Sequence, residues 1–164
     1  MTAAERDALF VRYEQGPALL KTALATVPAE ALQWRPAEGK WSAHEVIVHC
    51  ADSETNSAMR IRYLVGEDAP VIMGYDQDRW ARQMRYHALP LELSLRQVET
   101  VRAWTAVFIR GLPESAWARA GRHTEHAGPY GAEQWLRIYA EHLETHARQI
   151  LRNVEAWKAR APGR

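Results

Sequence analysis

Cysteine is nearly absent from this chain: Cys50 stands alone among 164 residues, so no internal disulfide can form. No apolar run approaches the ~18 residues of a membrane-spanning helix, and no basic segment followed by an apolar one marks a signal peptide. Neither sign of charge dominates, because 21 basic residues face 20 acidic ones. A duplex-binding domain usually carries a basic excess. These absences exclude a disulfide scaffold, argue against membrane and nucleic-acid partners, and favour a cytoplasmic location.

Apolar residues recur at every third or fourth position in four segments, which predicts four long helices. The sequence Gly16-Pro17 falls inside the first and predicts a kink or a restart, because proline lacks the N–H of a helical hydrogen bond. Ser42 and Glu45 have the spacing of a capping box at the start of the second. The predicted helices cover about residues 2–27, 43–65, 93–110 and 132–158.

The second and third helices are separated by a long connection, residues 66–92, in which Asp76 or Asp78 is predicted to cap a short helix. The other connections are shorter, and no segment alternates apolar and polar residues for long enough to require a sheet. The composition, 47% apolar and 25% charged, is typical of a globular domain. We therefore predict an all-α four-helix bundle that forms one domain over residues 1–160.

Seven histidines are the richest chemical signal in the sequence. His142 and His146 are four residues apart on a predicted helix, so their imidazoles share one face and can bind the same ion. His49 lies mid-helix in another segment, on a stripe with Ser53 and Asn56 that should face the core. Buried polar groups need partners, and a metal ion would supply one. The alternative is that these histidines are hydrogen-bonded core or surface residues, which is common for an isolated pair at this spacing.

Two motifs in this order resemble those of the DinB/YfiT-like family. The first is GKWSAHEVIVHCADSE, residues 39–54, and the second is AEHLETHARQI, residues 140–150. The resemblance extends over nearly the whole chain. It implies an up-down-down-up four-helix bundle with a metal site formed by His49, His142 and His146. It also implies a homodimer, since members of the family often dimerise.

The resemblance implies metal-dependent chemistry on a small-molecule substrate. Characterised members include S-transferases and isomerases that use a low-molecular-weight thiol, bacillithiol or mycothiol, and other members carry the name of metal-dependent hydrolases. Three neutral ligands leave the charge of a divalent ion uncompensated, and such an ion deprotonates a bound thiol or lowers the pKa of bound water. We expect Zn or Ni, with Mn or Fe as alternatives. Thiol transfer is the first hypothesis, hydrolysis the second, and a non-enzymatic metal-binding or dimer scaffold the third.

Several neighbours of these histidines are candidates for supporting roles. Asp52, three residues after His49, is the candidate catalytic residue, either as a general base or as a hydrogen-bond acceptor for bound water. The alternative for Asp52 is an ion pair with an arginine at the bundle surface. Glu45 is expected to be the capping partner of Ser42. Gln149 is expected either to support His146 by a hydrogen bond or to serve in packing.

The remaining candidates are expected to have structural roles or none. Tyr75 and Trp80 could cover the pocket, although aromatic residues in such loops more often fill the core. Cys50 is expected to be a small buried apolar residue. We expect His44, His123 and His126 to be exposed, with metal binding as the alternative for His123 and His126. His87 has no matching partner in the sequence.

Overall fold

The computed structural model describes residues 1–160, and the predicted all-α four-helix bundle is confirmed. Four long helices build the bundle, and one short helix lies in the long connection. In chain order they are α1 (Ala3–Ala25), α2 (Ala43–Gly66), α3 (Gln77–Gln83), α4 (Leu91–Arg110) and α5 (Ala132–Ala159). Helix α5 packs against α1 and α2, and α4 packs against the same two helices from the other side. Among residues 1–160, no helix is both long enough and apolar enough to cross a membrane.

The starts of α1, α2 and α3 are set by local side-chain hydrogen bonds. Helix α2 begins with the predicted capping box, in which the Ser42 hydroxyl accepts from the Glu45 backbone N–H and the Glu45 carboxylate accepts from the Ser42 N–H. Asp76 caps α3 as predicted, accepting from the backbone N–H of Arg79. The capping box fixes the residue at which α2 begins and therefore which of its side chains face the bundle interior.

Helix α1 continues through Gly16-Pro17, so of the two outcomes predicted there, a kink or a restart, the restart does not occur. Proline has no N–H, so the carbonyl of Tyr13, four residues earlier, loses its helical partner. The Arg102 side chain supplies the missing donor: its Nη1 lies 2.7 Å from the Tyr13 carbonyl oxygen. A long-range contact that the local sequence does not reveal thus allows the helix to continue.

A small three-stranded sheet, which the sequence pattern does not predict, joins two connections of the bundle. Its strands are β1 (Val71–Ile72), β2 (Ala120–His123) and β3 (Pro129–Gly131), in the order β1-β2-β3. Strand β1 is parallel to β2, and β2 is antiparallel to β3. Strands of two to four residues are too short to show alternation. The sheet ties the connection after α2 to the connection after α4, at one edge of the site described next.

Candidate metal centre

Three histidines converge between helices α2 and α5. One ring nitrogen each of His49, His142 and His146 lies within 4.8 Å of the others. The ring centroids of His142 and His146 are 4.6 Å apart, as expected for neighbours one turn apart on α5. His49 approaches from α2, with its ring centroid 4.8 Å from that of His146. The structure therefore brings together the three residues that the sequence predicts as ligands.

Hydrogen bonds orient the two imidazoles on α5. The His142 Nδ1 lies 2.7 Å from a carboxylate oxygen of Glu54, and the His146 Nδ1 lies 2.9 Å from the amide oxygen of Gln149. Both partners are acceptors, so both Nδ1 atoms carry a hydrogen, and in the neutral form of each imidazole the Nε2 atom carries the lone pair. This is the arrangement that metal-binding histidines usually have. Gln149 was expected either to hydrogen-bond to His146 or to serve in packing, and the structure shows the hydrogen bond.

His49 is buried without a hydrogen-bond partner. Neither of its ring nitrogens is hydrogen-bonded to any of residues 1–160, and its Nδ1 has no contact with solvent. The Trp41 ring covers it, with centroids 4.6 Å apart. A buried polar group without a partner costs about 1–3 kcal/mol. A cation bound at one ring nitrogen would give that nitrogen a partner, and the donor set therefore fits a metal ion.

Burial keeps His49 and His146 uncharged at neutral pH. Desolvation and the neighbouring imidazoles of His146 and His142 lower the pKa of His49 to about 2. Desolvation and the imidazole of His142 lower the pKa of His146 to about 4, although Gln149 and Glu54 act in the opposite direction. Metal ligation requires the neutral imidazole, so the environment holds both side chains in the form that binds a cation.

In the metal-free protein we expect the free energy of unfolding to decrease as the pH falls below about 6.5. Imidazoles of the unfolded chain take up protons near that value, whereas His146 and His49 stay neutral in the fold to about pH 4 and about pH 2. The unfolded state therefore binds more protons, and each such histidine contributes a loss of about 1.4 kcal/mol per pH unit.

Urea titrations of chelator-treated protein between about pH 7 and about pH 4.5 measure this dependence. The variant His49→Leu should show a shallower decline than the parent protein. The variant His126→Ala is the control, because that imidazole is exposed. Equal slopes for His49→Leu and the parent protein would show that His49 does not resist protonation in the fold.

A buried ion pair, which the sequence does not predict, holds one histidine of the cluster through a hydrogen bond to His142. Glu54 on α2 and Arg102 on α4 are both fully buried, and Arg102 donates from Nε and Nη2 to the two carboxylate oxygens at 2.6 and 2.8 Å. Burial alone would raise the pKa of Glu54, but Arg102 and His142 overcome this and hold it below its ordinary value. Glu54 is therefore a carboxylate that accepts from His142 on one side and from Arg102 on the other. In the sequence, the one indication that Glu54 belongs to the site is its position as the last residue of the first family motif.

A polar cavity of about 180 Å³ lies beside the histidines. His142 and Ser53 line the end of the cavity nearest to the cluster, and the hydroxyl of Ser53 is 3.3 Å from the His142 Nε2. Tyr75 lines the cavity as well, and its ring centroid lies 4.2 Å from that of Trp80. Tyr75 therefore lies at the pocket, which is the role that was weighed for it against filling the core. A small molecule in the cavity would contact the histidine cluster at His142.

Asp52 is half-buried and does not form the surface ion pair that the sequence analysis weighed for it. Its carboxylate accepts a hydrogen bond from the Tyr86 hydroxyl at 2.6 Å, and none of the arginines in residues 1–160 pairs with it. Burial raises the pKa of Asp52, and the Tyr86 hydrogen bond partly opposes this. The general-base role stays a prediction.

Two histidines expected at the surface are buried, and that expectation is wrong for them. The His44 Nε2 bonds to the Leu89 carbonyl oxygen at 2.9 Å, which fixes the connection after α3 against the start of α2. His123 lies in β2, within the sheet that the sequence pattern does not reveal, and its Nδ1 accepts from the Glu125 backbone N–H at 3.1 Å. His126 is exposed as expected.

The other side chains singled out in the sequence have structural roles. His87 does have a partner, the Ser42 hydroxyl at 2.8 Å from its Nε2. Glu45 is the expected capping residue, and it also pairs with Arg35. Cys50 is fully buried, and burial raises the pKa of its thiol well above the ordinary value, as expected for a residue that serves in packing.

Comparison with known proteins gives consistent matches. The family model of the DinB superfamily matches residues 12–150. A protein of Oceanobacillus iheyensis, named "Putative metal-dependent hydrolase OB0782", is 32% identical over 84% of this chain and 78% of its own length. The solved structure of YfiT from Bacillus subtilis, described as "a probable metal-dependent hydrolase with an unusual four-helix bundle topology", superposes with a TM-score of 0.89 at 23% identity. That match covers 96% of this chain and 90% of YfiT.

A more distant solved structure shares the bundle. It is that of a mycothiol-dependent maleylpyruvate isomerase, with a TM-score of 0.70 and 17% identity, covering 92% of this chain and 63% of the isomerase. At that identity the likeness shows a common fold.

Proposed function

This chain belongs to the DinB superfamily, and on that premise we propose that it is a metal-dependent enzyme whose cation is held by His49, His142 and His146. The observation that carries the proposal is the convergence of three imidazoles beside a cavity large enough for a small molecule. Three protein ligands leave coordination positions open, which distinguishes a catalytic site from a closed structural one. Among residues 1–160, no fourth ligand-type side chain joins the cluster.

We propose transfer of a low-molecular-weight thiol as the reaction class. A divalent cation, for which Zn or Ni is the first expectation, supplies Lewis acidity: it deprotonates a bound thiol outright and lowers the pKa of bound water. Thiol transfer therefore needs no general base, and this chain offers few free ones. Both oxygens of Glu54 accept hydrogen bonds from Arg102, and Asp52 accepts from Tyr86. The cavity beside His142 would then hold the electrophile.

Hydrolysis is the second candidate, favoured by the name that the Oceanobacillus relative carries. In that reaction Asp52 is our candidate for the general base. It lies three residues after His49 on α2, and burial raises the pKa of its carboxyl toward the range useful for proton transfer. The Tyr86 hydroxyl would have to release or share the carboxylate for this role.

Thiol-dependent activity is expected to disappear on chelation and to return when Zn or Ni is added back. The assay follows consumption of an electrophile, monochlorobimane, with a panel of low-molecular-weight thiols that includes bacillithiol, mycothiol and coenzyme A. His146→Ala is expected to stay inactive after metal addition, because two imidazoles hold the cation too weakly. His87→Ala, which lies outside the cluster, is the matched control and should respond like the parent protein.

A parallel assay with p-nitrophenyl esters and no thiol separates the two reaction classes. Metal-dependent ester cleavage that requires Asp52, with no thiol-dependent reaction, would replace thiol transfer by hydrolysis. Activity that is unaffected by chelation would contradict both.

A further inference from the structure

The cavity beside the metal centre contains an arginine without a counter-ion. Arg60 on α2 lines the cavity, and none of the carboxylates of residues 1–160 lies within 4 Å of its guanidinium. Its Nη1 donates to the Tyr139 hydroxyl at 3.0 Å, and its Nη2 donates to the Met73 carbonyl oxygen at 2.6 Å. Both partners are uncharged, so they hold the side chain in place and leave its positive charge uncompensated.

Two buried donors at this cavity have no partner. The Arg60 Nε and the Tyr75 hydroxyl are shielded from solvent and make no hydrogen bond of ordinary geometry with residues 1–160, although the Ser53 hydroxyl approaches that of Tyr75. The Tyr75 hydroxyl keeps its proton, because burial raises its pKa to about 12. Buried donors normally have acceptors, and these two belong to side chains that line the same small space. An acceptor supplied by a ligand would satisfy both.

The other charged and titratable groups around the cavity do not replace that acceptor. Glu125 lines the cavity and its charge opposes a bound anion, but its side chain is exposed and lies against Gly74, forming no ion pair with Arg60. His123 uses its Nδ1 to accept from the Glu125 backbone N–H, which leaves a hydrogen on its Nε2. Apart from Glu125, no carboxylate lines the cavity among residues 1–160, and its lining includes several hydrogen-bond donors.

We propose that this cavity binds the carboxylate of a small organic acid, with Arg60 as the anion-binding side chain and the Tyr75 hydroxyl as a second donor. Arginine matches a carboxylate because its planar fork presents parallel N–H donors. The cavity volume of about 180 Å³ is suited to a small organic acid. This inference rests on the proposed function in one respect: the acid is the substrate if the histidines hold a catalytic cation.

Butyrate and butyramide test the proposal, because they have the same shape and size and differ in charge. Binding is followed by NMR titration of metal-free and of metal-loaded protein. In both forms the parent protein should bind butyrate at least about tenfold more tightly than butyramide, and Arg60→Gln should weaken butyrate binding about 10- to 100-fold, the range of a charge-assisted hydrogen bond. Arg96→Gln, which removes an exposed arginine on α4, is the matched control and should bind like the parent.

Two milder variants guard against misfolding of Arg60→Gln. Arg60→Lys keeps the charge but loses the fork, and Tyr75→Phe keeps the ring that packs on Trp80. Both should retain the preference for butyrate with severalfold weaker binding. Equal binding of butyrate and butyramide, or unchanged affinity in both Arg60 variants, would overturn the proposal. So would butyrate binding that disappears on removing the metal yet survives Arg60→Gln, because the cation would then be the anion site.

The proposed function fails in a different way. If the protein binds no divalent metal and shows no thiol or ester chemistry, the enzyme proposal is wrong. Arg60-dependent butyrate binding in that same metal-free protein would still support the carboxylate site.

Discussion

Protein carrying His142→Ala is expected to lose its divalent metal while it stays helical. The parent protein, purified without an affinity tag, should contain about one ion per chain, because three imidazoles converge at one point. Removing a supporting residue typically costs 10- to 100-fold in metal affinity, and removing a ligand should cost more than about 100-fold. Elemental analysis after gel filtration measures the content, and far-ultraviolet circular dichroism measures the helix.

Two further variants make this result specific. Glu54→Gln keeps the shape of the residue that orients His142 but removes its charge, so it should weaken metal binding about 10- to 100-fold. His87→Ala removes a histidine outside the cluster and should keep the parent content. An unchanged metal content in His142→Ala would show that the three histidines are not the binding site.

Arg102→Met is expected to lower the free energy of unfolding by about 3–5 kcal/mol, because removing one partner leaves a buried charge uncompensated. Arg102 is 1% exposed and bonds to both oxygens of Glu54. It also donates to the Tyr13 carbonyl that Pro17 leaves without a helical partner. A loss of this size is a large fraction of the stability of an ordinary domain. Urea unfolding of the parent and variant proteins measures it.

The surface pair of Arg110 with Glu14 provides the control on the same helix. Its side chains are about two-fifths exposed, and the Arg110 Nη2 lies 2.9 Å from the Glu14 carboxylate. Arg110→Met should therefore cost at most about 1 kcal/mol. The double variant Glu54→Leu with Arg102→Met should be more stable than Arg102→Met alone, since it removes the uncompensated carboxylate. Equal losses for Arg102→Met and Arg110→Met would refute the special role of the buried pair.

The sequence predicts the four long helices because their signals are local. Periodicity, the Ser42 capping box and the Asp76 cap all act within a few residues. The passage of α1 through Pro17 is not predictable in this way, because it depends on Arg102, a residue far along the chain. The sheet is not predictable for a related reason. Strands of two to four residues are too short to show a period, and their pairing joins connections that are distant in the sequence.

The ligand histidines are predictable because two of them share a helix face and the third lies on a polar stripe of α2. The residues that hydrogen-bond to these histidines are not all predictable from the sequence. Gln149 is one turn from His146 and could be proposed, whereas Glu54 and Arg102 meet only through the packing of α2 on α4. Burial of His123 follows from the undetected sheet. A homodimer and a cytoplasmic location stay predictions, because one chain shows neither a partner's surface nor a compartment.

The division of the site between helices and connections has a consequence for divergence within the family. The three histidines lie on α2 and α5, which form the rigid frame of the bundle. Much of the cavity wall, including Tyr75 and His123, comes from the two connections that the small sheet joins. Connections tolerate substitution and insertion better than packed helices do. A protein of this fold could therefore change its substrate by substitutions in this wall while it kept the three histidines, so a shared histidine set would be a poor guide to a shared substrate.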